Sequence, residues 1–171
     1  MSEPQVIVTS LNQDVADSFS IGGGSWLGAV AQQVRFLAPT TVNSVKMRLS
    51  RNVDQTGPTG TLSMKIYGCE GDFRSIDSKP TGAAIATSTN TLNAQDVTTD
   101  WMGEEYEFTF DNVGFAAGLY FVSIEISENA GDGQINVLAC GDGWETWLVP
   151  NLGAGAFFND EQGWMSMHQY D

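Results

Sequence analysis

Basic residues are scarce in this sequence and confined to its first half. The chain holds 7 lysines and arginines against 21 aspartates and glutamates, which gives a formal net charge of −14. All of the bases lie between Arg35 and Lys79. Binding to a phosphate backbone needs clustered lysine and arginine, so we expect no nucleic-acid partner. A surface this negative favours solubility, and it suits a basic partner or bound cations.

Long apolar runs are also missing. No stretch approaches the roughly 18 apolar residues of a membrane-spanning helix, so we expect no membrane partner. Residues 1–11 lack the basic and apolar regions of a secretory signal. If the protein works outside a cell, we expect it to leave by lysis, by a nonclassical route or within a particle.

Histidine and cysteine are rare, which limits the catalytic and metal-binding sites that the chain can form. The only histidine, His168, lies close to the end of the sequence. A serine or cysteine nucleophile would need that histidine in a rigid cleft, so we expect no nucleophilic catalysis. The two cysteines, Cys69 and Cys140, form no metal-binding motif. We expect both to be free buried thiols, and a disulfide between them is the alternative.

Carboxylates are plentiful and leave two kinds of site to consider. A glycosidase needs only two facing carboxylates, and the candidates are Glu104, Glu105, Glu107, Asp142 and Glu145. Acids in strands and turns usually point to solvent, so we expect no enzyme. Asp132 and Asp142 lie in Gly-Asp-Gly turns and could ligate calcium. Aspartate between glycines is also common in turns that bind no ion. We therefore expect no cofactor, and bound calcium is the alternative.

Alternating apolar residues are the main feature of the chain, and they are densest at residues 101–127. A period of two places one set of side chains on a buried sheet face and the other set outside. The side chains predicted to point inward are Tyr106, Phe108, Phe110, Tyr120, Val122, Ile124 and Ile126. Phe121, Ser123 and Glu125 are predicted to point outward. We expect these two strands, in register, to form the centre of the fold.

Turn signals separate similar runs along the rest of the chain. Pro-Thr-Gly turns precede predicted strands at residues 61–67 and 83–88, and no window has apolar residues at helical spacing. Breakers every 8–12 residues are typical of an all-β sandwich or barrel. We predict roughly nine to eleven strands in a single-domain, jelly-roll-like β-sandwich of two antiparallel sheets. Residues 1–14 are predicted to be an N-terminal arm or edge strand, and residues 15–171 the sandwich domain.

Tryptophans near turns are the best candidates for a binding site. An exposed indole stacks on a sugar ring, while nearby carboxylates accept its hydroxyls. Trp26 follows a run of glycines, and Trp144, Glu145 and Trp147 follow a Gly-Asp-Gly turn. These four residues form a candidate carbohydrate site. Tryptophans that close the ends of a sandwich core are the alternative.

Several turns and core aromatics together resemble a known family. The stretches are 17–19, 42–49, 58–62, 66–67, 80–82, 86–88, 108–110 and 117–120, together with Trp101. They resemble the "choice-of-anchor" β-sandwich modules of bacterial surface proteins, which also occur in virion proteins of tailed phages. The resemblance spans most of residues 15–165. It implies a sandwich fold and a structural or binding role, with no catalytic residues.

The sequence shows no anchor or signal, and we therefore expect the chain to be similar in role to the virion proteins rather than to the bacterial surface proteins. We therefore expect a non-enzymatic protein of a virus particle, made in the host cytoplasm, that decorates the capsid or belongs to the tail. Its partners would be other virion proteins and further copies of itself, since symmetric homo-oligomers are common. A carbohydrate-binding module that recognises cell-surface glycans is the alternative.

Overall fold

The computed structural model describes residues 15–23, 27–52, 58–127, 133–140, 152–159 and 161–166. These residues form eleven β-strands and one short 3₁₀ helix, Ala94–Asp96. The strands are β1 Val15–Ile21, β2 Ala29–Phe36, β3 Thr40–Arg51, β4 Thr61–Glu70, β5 Lys79–Thr87, β6 Leu92–Asn93, β7 Glu104–Phe115, β8 Gly118–Ile126, β9 Ile135–Cys140, β10 Leu152–Asn159 and β11 Gly163–Ser166. Within the described ranges no helix is long and apolar enough to cross a membrane. The arm predicted over residues 1–14 lies outside them.

The strands form two antiparallel sheets packed face to face, which confirms the predicted all-β sandwich. The four-stranded sheet has the order β1-β9-β3-β7. The seven-stranded sheet has the order β11-β10-β2-β8-β4-β5, with β6 paired to β4. The pairs β1·β9, β2·β8, β3·β7 and β4·β5 are nested in sequence, and successive pairs alternate between the sheets. This nesting is the strand arrangement of a jelly roll.

Alternate residues of both sheets fill the core between them. Leu62, Met64 and Ile66 of β4 are fully buried there, as the pattern of this strand predicts. From the central segment, Phe108 and Ile124 are buried. Its other predicted inward residues are buried as well or pack against the core, namely Tyr106, Phe110, Tyr120, Val122 and Ile126. The inward face predicted from residues 101–127 is therefore confirmed.

The expected pairing of the two central strands is wrong. β7 pairs with β3, whereas β8 pairs with β2 and β4, so the two lie in opposite sheets. The register of β7 against β3 shifts beside Val42, and Asn112 of β7 takes a positive φ of 51°. The chain then crosses between the sheets within the short connection from Phe115 to Gly118. Both strands thus face one core from opposite sides.

A second apolar cluster lies on the outer face of the seven-stranded sheet, the face turned away from the four-stranded sheet. It consists of Ala31, Tyr67, Phe121 and Ala156, with Trp164 packed against it. The sheet curls strongly enough for the Trp164 ring of β11 to contact the Tyr67 ring of β4, with centroids 5.5 Å apart across three intervening strands. The curl buries Phe121 and Ser123 completely, which corrects the prediction that they face solvent.

β7 is an edge strand of the four-stranded sheet, and an asparagine side chain covers part of this edge. Asn90 Nδ2 donates to the Glu107 carbonyl (2.9 Å), and Asn90 Oδ1 accepts from the Thr109 amide (2.7 Å). The neighbouring Thr89 amide donates to the Thr109 carbonyl (2.8 Å). The Asn90 amide group thus acts as one residue of an additional strand and links β7 to the loop that follows β5.

Candidate functional site

The residues predicted for sugar or metal binding lie outside the described residues. They are Trp26, Trp144, Glu145 and Trp147 for the sugar and Asp132 and Asp142 for calcium. Both sites therefore stay predictions. In the parts of the chain that the structure covers, no group of three or more histidine, cysteine, aspartate or glutamate side chains is arranged to hold a metal ion.

The three glutamates of β7 considered as catalytic carboxylates are exposed on the sheet. Glu105 Oε1 lies 2.7 Å from Lys46 Nζ, and the hydrogen bond and charge of Glu105 raise the pKa of that lysine. Lys46 itself is directly opposite Glu107 in the register of β3 and β7. The carboxylates therefore alternate with bases across a solvated sheet face, an ordinary cross-strand arrangement. The other two candidates, Asp142 and Glu145, lie outside the described residues.

An exposed tryptophan on a hydrogen-bonded turn is the clearest candidate site in the described residues. The Trp101 turn, residues 100–103, immediately precedes β7. The Trp101 side chain is 76% exposed and the adjacent Met102 is 38% exposed. The Asp100 carbonyl accepts from the Gly103 amide (2.9 Å), and Asp100 Oδ1 accepts from the Met102 amide (2.9 Å). A guanidinium nitrogen of Arg48 also donates to the Met102 carbonyl (3.3 Å).

These hydrogen bonds fix the backbone that presents the indole. A large aromatic group held in this way makes contact with a partner at little cost in conformational entropy. Asp100 and Glu104, both exposed, flank it with negative charge. The sequence places Trp101 at the start of the core segment 101–127, and the alternation of that segment does not predict its exposure. The signal was present in Asp100 and Gly103, which are favoured at the first and fourth positions of a tight turn.

A polar cluster occupies the curled outer face of the seven-stranded sheet. Glu125 Oε2 lies 2.6 Å from Lys65 Nζ, and Glu125 Oε1 accepts a hydrogen bond from the Tyr67 hydroxyl (2.6 Å). Burial raises the pKa of Tyr67 well above its usual range, and the Glu125 carboxylate adds to the rise. Tyr67 therefore remains a neutral hydrogen-bond donor at physiological pH. Each of the three groups has a partner within the cluster, which links β4 to the adjacent β8.

Cys69 packs against the apolar cluster of the same sheet face as a free, half-buried thiol. Its sulfur accepts a hydrogen bond from Gln33 Nε2 (3.2 Å). Burial raises the pKa of Cys69, and the hydrogen bond from Gln33 opposes that rise only in part. A thiol with a raised pKa is protonated at neutral pH and is a poor nucleophile. The predicted free thiol is therefore observed for Cys69, whereas the Cys140 side chain lies outside the described residues.

No protein-family model, curated protein or solved structure matches the chain. The function must therefore be argued from the described geometry. The Lys65, Tyr67 and Glu125 side chains satisfy one another. The Trp101 indole, in contrast, is directed to solvent and is available to a partner. We take the Trp101 turn as the candidate functional site.

Proposed function

We propose that this protein is a non-enzymatic component of a virus particle and acts through protein–protein contacts made by the Trp101 turn. The exposed indole on its hydrogen-bonded turn is the observation that carries the proposal. The jelly-roll strand order supports it by analogy, because viral capsid proteins and lectins use this fold. Fold analogy alone does not establish function. The proposal therefore depends on the contact that Trp101 can make.

The indole can contribute a substantial part of the energy of a larger interface. A buried tryptophan removes roughly 150–250 Å² from water. At about 25 cal/mol per Å², covering the exposed part of Trp101 contributes on the order of 3–5 kcal/mol before the costs of association. Tryptophan is accordingly enriched among the residues that dominate protein interfaces. Because Asp100 and Glu104 flank the indole, the matching partner surface is an apolar pocket rimmed by lysine or arginine.

Quantitative mass spectrometry of gradient-purified particles tests the proposal. We expect the wild-type protein in the particles and at least a roughly tenfold lower content of Trp101→Ala, a typical loss for an interface tryptophan. Leu37→Ala is the matched control, because Leu37 is 71% exposed at the other end of the sandwich. It should enter particles normally. Absence of the wild-type protein from particles would refute the virion role, and normal entry of Trp101→Ala would refute the site.

A carbohydrate-binding module is the second candidate, and the same turn favours it. The open face of the Trp101 indole could stack on a pyranose ring, with the Asp100 and Glu104 carboxylates accepting hydroxyls. A glycan array probed with wild type, Trp101→Ala, Trp144→Ala and Trp26→Ala distinguishes the sites. Specific binding that is lost only in Trp101→Ala supports this turn. Loss only in Trp144→Ala or Trp26→Ala supports the site predicted from the sequence, and no binding by wild type rejects this function.

A further inference from the structure

Arg48 is a positively charged side chain beside the Trp101 turn. It lies on β3, partly exposed, and one of its guanidinium nitrogens donates to the Met102 carbonyl (3.3 Å). Met102 follows Trp101 directly, and consecutive Cα atoms are about 3.8 Å apart. The guanidinium group therefore touches the backbone one residue away from the exposed indole.

The charge of Arg48 has no ion-pair partner among the residues that the structure describes. Glu105 lies directly opposite Arg48 in the register of β3 and β7, but its carboxylate lies 2.7 Å from Lys46 Nζ instead. A guanidinium group has five N–H donors, and the Met102 carbonyl accepts from one of its nitrogens. Arg48 therefore keeps its charge and several donors that a partner can use.

If the Trp101 turn is the protein contact proposed above, a partner that covers the indole also covers Arg48. An interface of ordinary size buries about 800 Å² on each partner, a patch roughly 30 Å across. The Arg48 guanidinium lies well inside such a patch, because it bonds to the residue next to Trp101. Removing a charged group from water is unfavourable unless an acceptor replaces the water. The partner must therefore place an acceptor against Arg48.

We propose that Arg48 is a specificity-determining residue of this site and pairs with an aspartate or glutamate of the partner protein, beside the pocket that receives the indole. A carboxylate offers two oxygens for parallel hydrogen bonds and a charge that offsets the guanidinium. A backbone carbonyl offers neither the second oxygen nor the charge. Tryptophan, methionine and arginine are also residue types enriched at protein interfaces, and Trp101, Met102 and Arg48 lie together here.

Charges of both signs around the indole restrict the orientation of the partner. Asp100 begins the turn and Glu104 follows it, whereas Arg48 reaches the turn from the neighbouring strand β3. The partner must place basic groups against the two acids and an acid against Arg48. A rotated partner would bring like charges together, which is unfavourable. Arg48 thus selects one orientation among those that the indole alone would allow.

A charge series at position 48, measured by the particle content used for Trp101→Ala, tests the assignment. Arg48→Lys keeps the charge, Arg48→Gln removes it and Arg48→Glu reverses it. We expect the content to fall in that order, to roughly tenfold or more below wild type in Arg48→Glu. Lys46→Glu is the matched control, because it reverses a charge on the same strand but Lys46 bonds to Glu105 and not to the turn. Its content should stay within about twofold of wild type, as for an exposed ion pair.

The outcomes separate the role of Arg48 from the proposed function. Absence of the wild-type protein from particles refutes the proposed function itself. Loss of entry in Trp101→Ala with normal entry of Arg48→Glu leaves that function standing and overturns the role of Arg48. Equal content of Arg48→Lys and Arg48→Gln would show that the charge is not sensed, and this comparison holds even if Arg48→Glu fails to fold. An equal loss in Lys46→Glu would assign the effect to general electrostatics and would also overturn the proposal.

Zero-length cross-linking identifies the partner group directly. In particles that contain Arg48→Lys, a carbodiimide joins the amine introduced at position 48 to a carboxylate in contact with it, and mass spectrometry locates the new amide bond. We expect a bond to an aspartate or glutamate of another protein in the particle. Bonds only to Glu104 or Glu105 of the same chain would overturn the proposal. A bond to a sugar acid would overturn the choice of a protein partner.

Discussion

Glu125 illustrates how far one residue can depart from the environment that its place in a strand suggests. Alternation places it on the outer face of β8, where an acid is expected to be solvated. Its side chain is instead only 17% exposed, between the Lys65 ammonium and the Tyr67 hydroxyl. The curl of the sheet brings Trp164 against Tyr67 and partly closes this face. The result is a half-buried carboxylate whose two oxygens both have partners.

Tyr67 should make stability unusually sensitive to alkali. Its folded pKa lies above the ordinary value of 10.0, so the folded state holds the phenol proton more tightly than the unfolded state does. The resulting stabilisation is fully present below about pH 10 and is lost as the pH rises further. Tyr67→Phe should cost about 1.5–3 kcal/mol at neutral pH, the value of a hydrogen bond to a charged group. As the pH rises above about 10, the free energy of unfolding of Tyr67→Phe should fall less steeply than that of wild type, because the variant has no phenol at this position to ionise.

Denaturant unfolding at a series of pH values, together with phenolate absorbance, measures both effects. Tyr120→Phe is the control, because its hydroxyl donates only to the Ala116 carbonyl (3.2 Å). In wild type and in this control, one tyrosine should ionise only at strongly alkaline pH. The same late ionisation in Tyr67→Phe would show that another tyrosine is responsible.

Sequence alone predicts the inward residues but not the fate of the outward ones. The burial of Phe108 and Ile124 can be predicted from alternation, because the pleat of a strand places every second side chain on the same face. Phe121 and Ser123 are buried because a distant hairpin, β10–β11, extends the same sheet and the sheet curls. The exposure of Trp101 likewise depends on a turn that ends before the strand begins. Such outcomes require knowledge of which strands are neighbours.

Among the elements, β7 is an edge strand that is protected in part by one side chain. It is a long edge strand, and an unpaired edge is a template for pairing with other chains. Asn90 satisfies one carbonyl and one amide of this edge. Outward-pointing Glu105 and Glu107 add charge that discourages edge-to-edge contact. The edge is thus blocked by the Asn90 side chain, by the Thr89 amide and by like charges.

Asn90→Ala should uncover this edge. We expect a loss of about 1 kcal/mol in the free energy of unfolding, because the freed groups regain hydrogen bonds to water. Exchange of the Thr109 amide hydrogen should become roughly fivefold faster or more, as this energy implies. Hydrogen-exchange mass spectrometry and chemical denaturation measure these changes. Asn43→Ala, at an exposed position of β3, is the control. Unchanged exchange at Thr109 would contradict the role of Asn90.

The elements themselves were largely predictable, whereas their assignment to sheets was not. The turn signal at residues 57–60 places β4 close to its observed position. The turn predicted at residues 79–82 is wrong, because these residues belong to β5, whose register against β4 shifts between Ile66 and Gly68. Pairing between β1 and β9, by contrast, joins residues from opposite parts of the chain. No local pattern encodes such a pairing, because any strand with one apolar face can pack on any other. The expected pairing of β7 with β8 failed for this reason.

On the scale of the whole molecule, the core between the sheets should dominate stability. Phe108 lies in one sheet and Ile124 in the other, and both are almost completely buried. Phe108→Ala should cost about 3–5 kcal/mol and Ile124→Ala about 2–5 kcal/mol, through lost burial and the cavity left behind. Ile85→Ala, at a position 52% exposed, is the matched control and should change stability by less than about 1 kcal/mol. Losses below about 1 kcal/mol for both core variants in equilibrium denaturation would contradict this assignment.

The nested pairing also sets the order in which the chain can fold during synthesis. β4 and β5 are close in sequence and can pair as soon as both have emerged, whereas β1 must wait for β9. At 5–20 residues per second, that wait is roughly 6–24 s. Until β9 is synthesised, residues 49–51 of β3 lack the strand with which they pair in the folded protein. Contacts between such distant segments make folding slow. The nascent chain therefore passes through an open half-sandwich whose completion depends on one of its last strands.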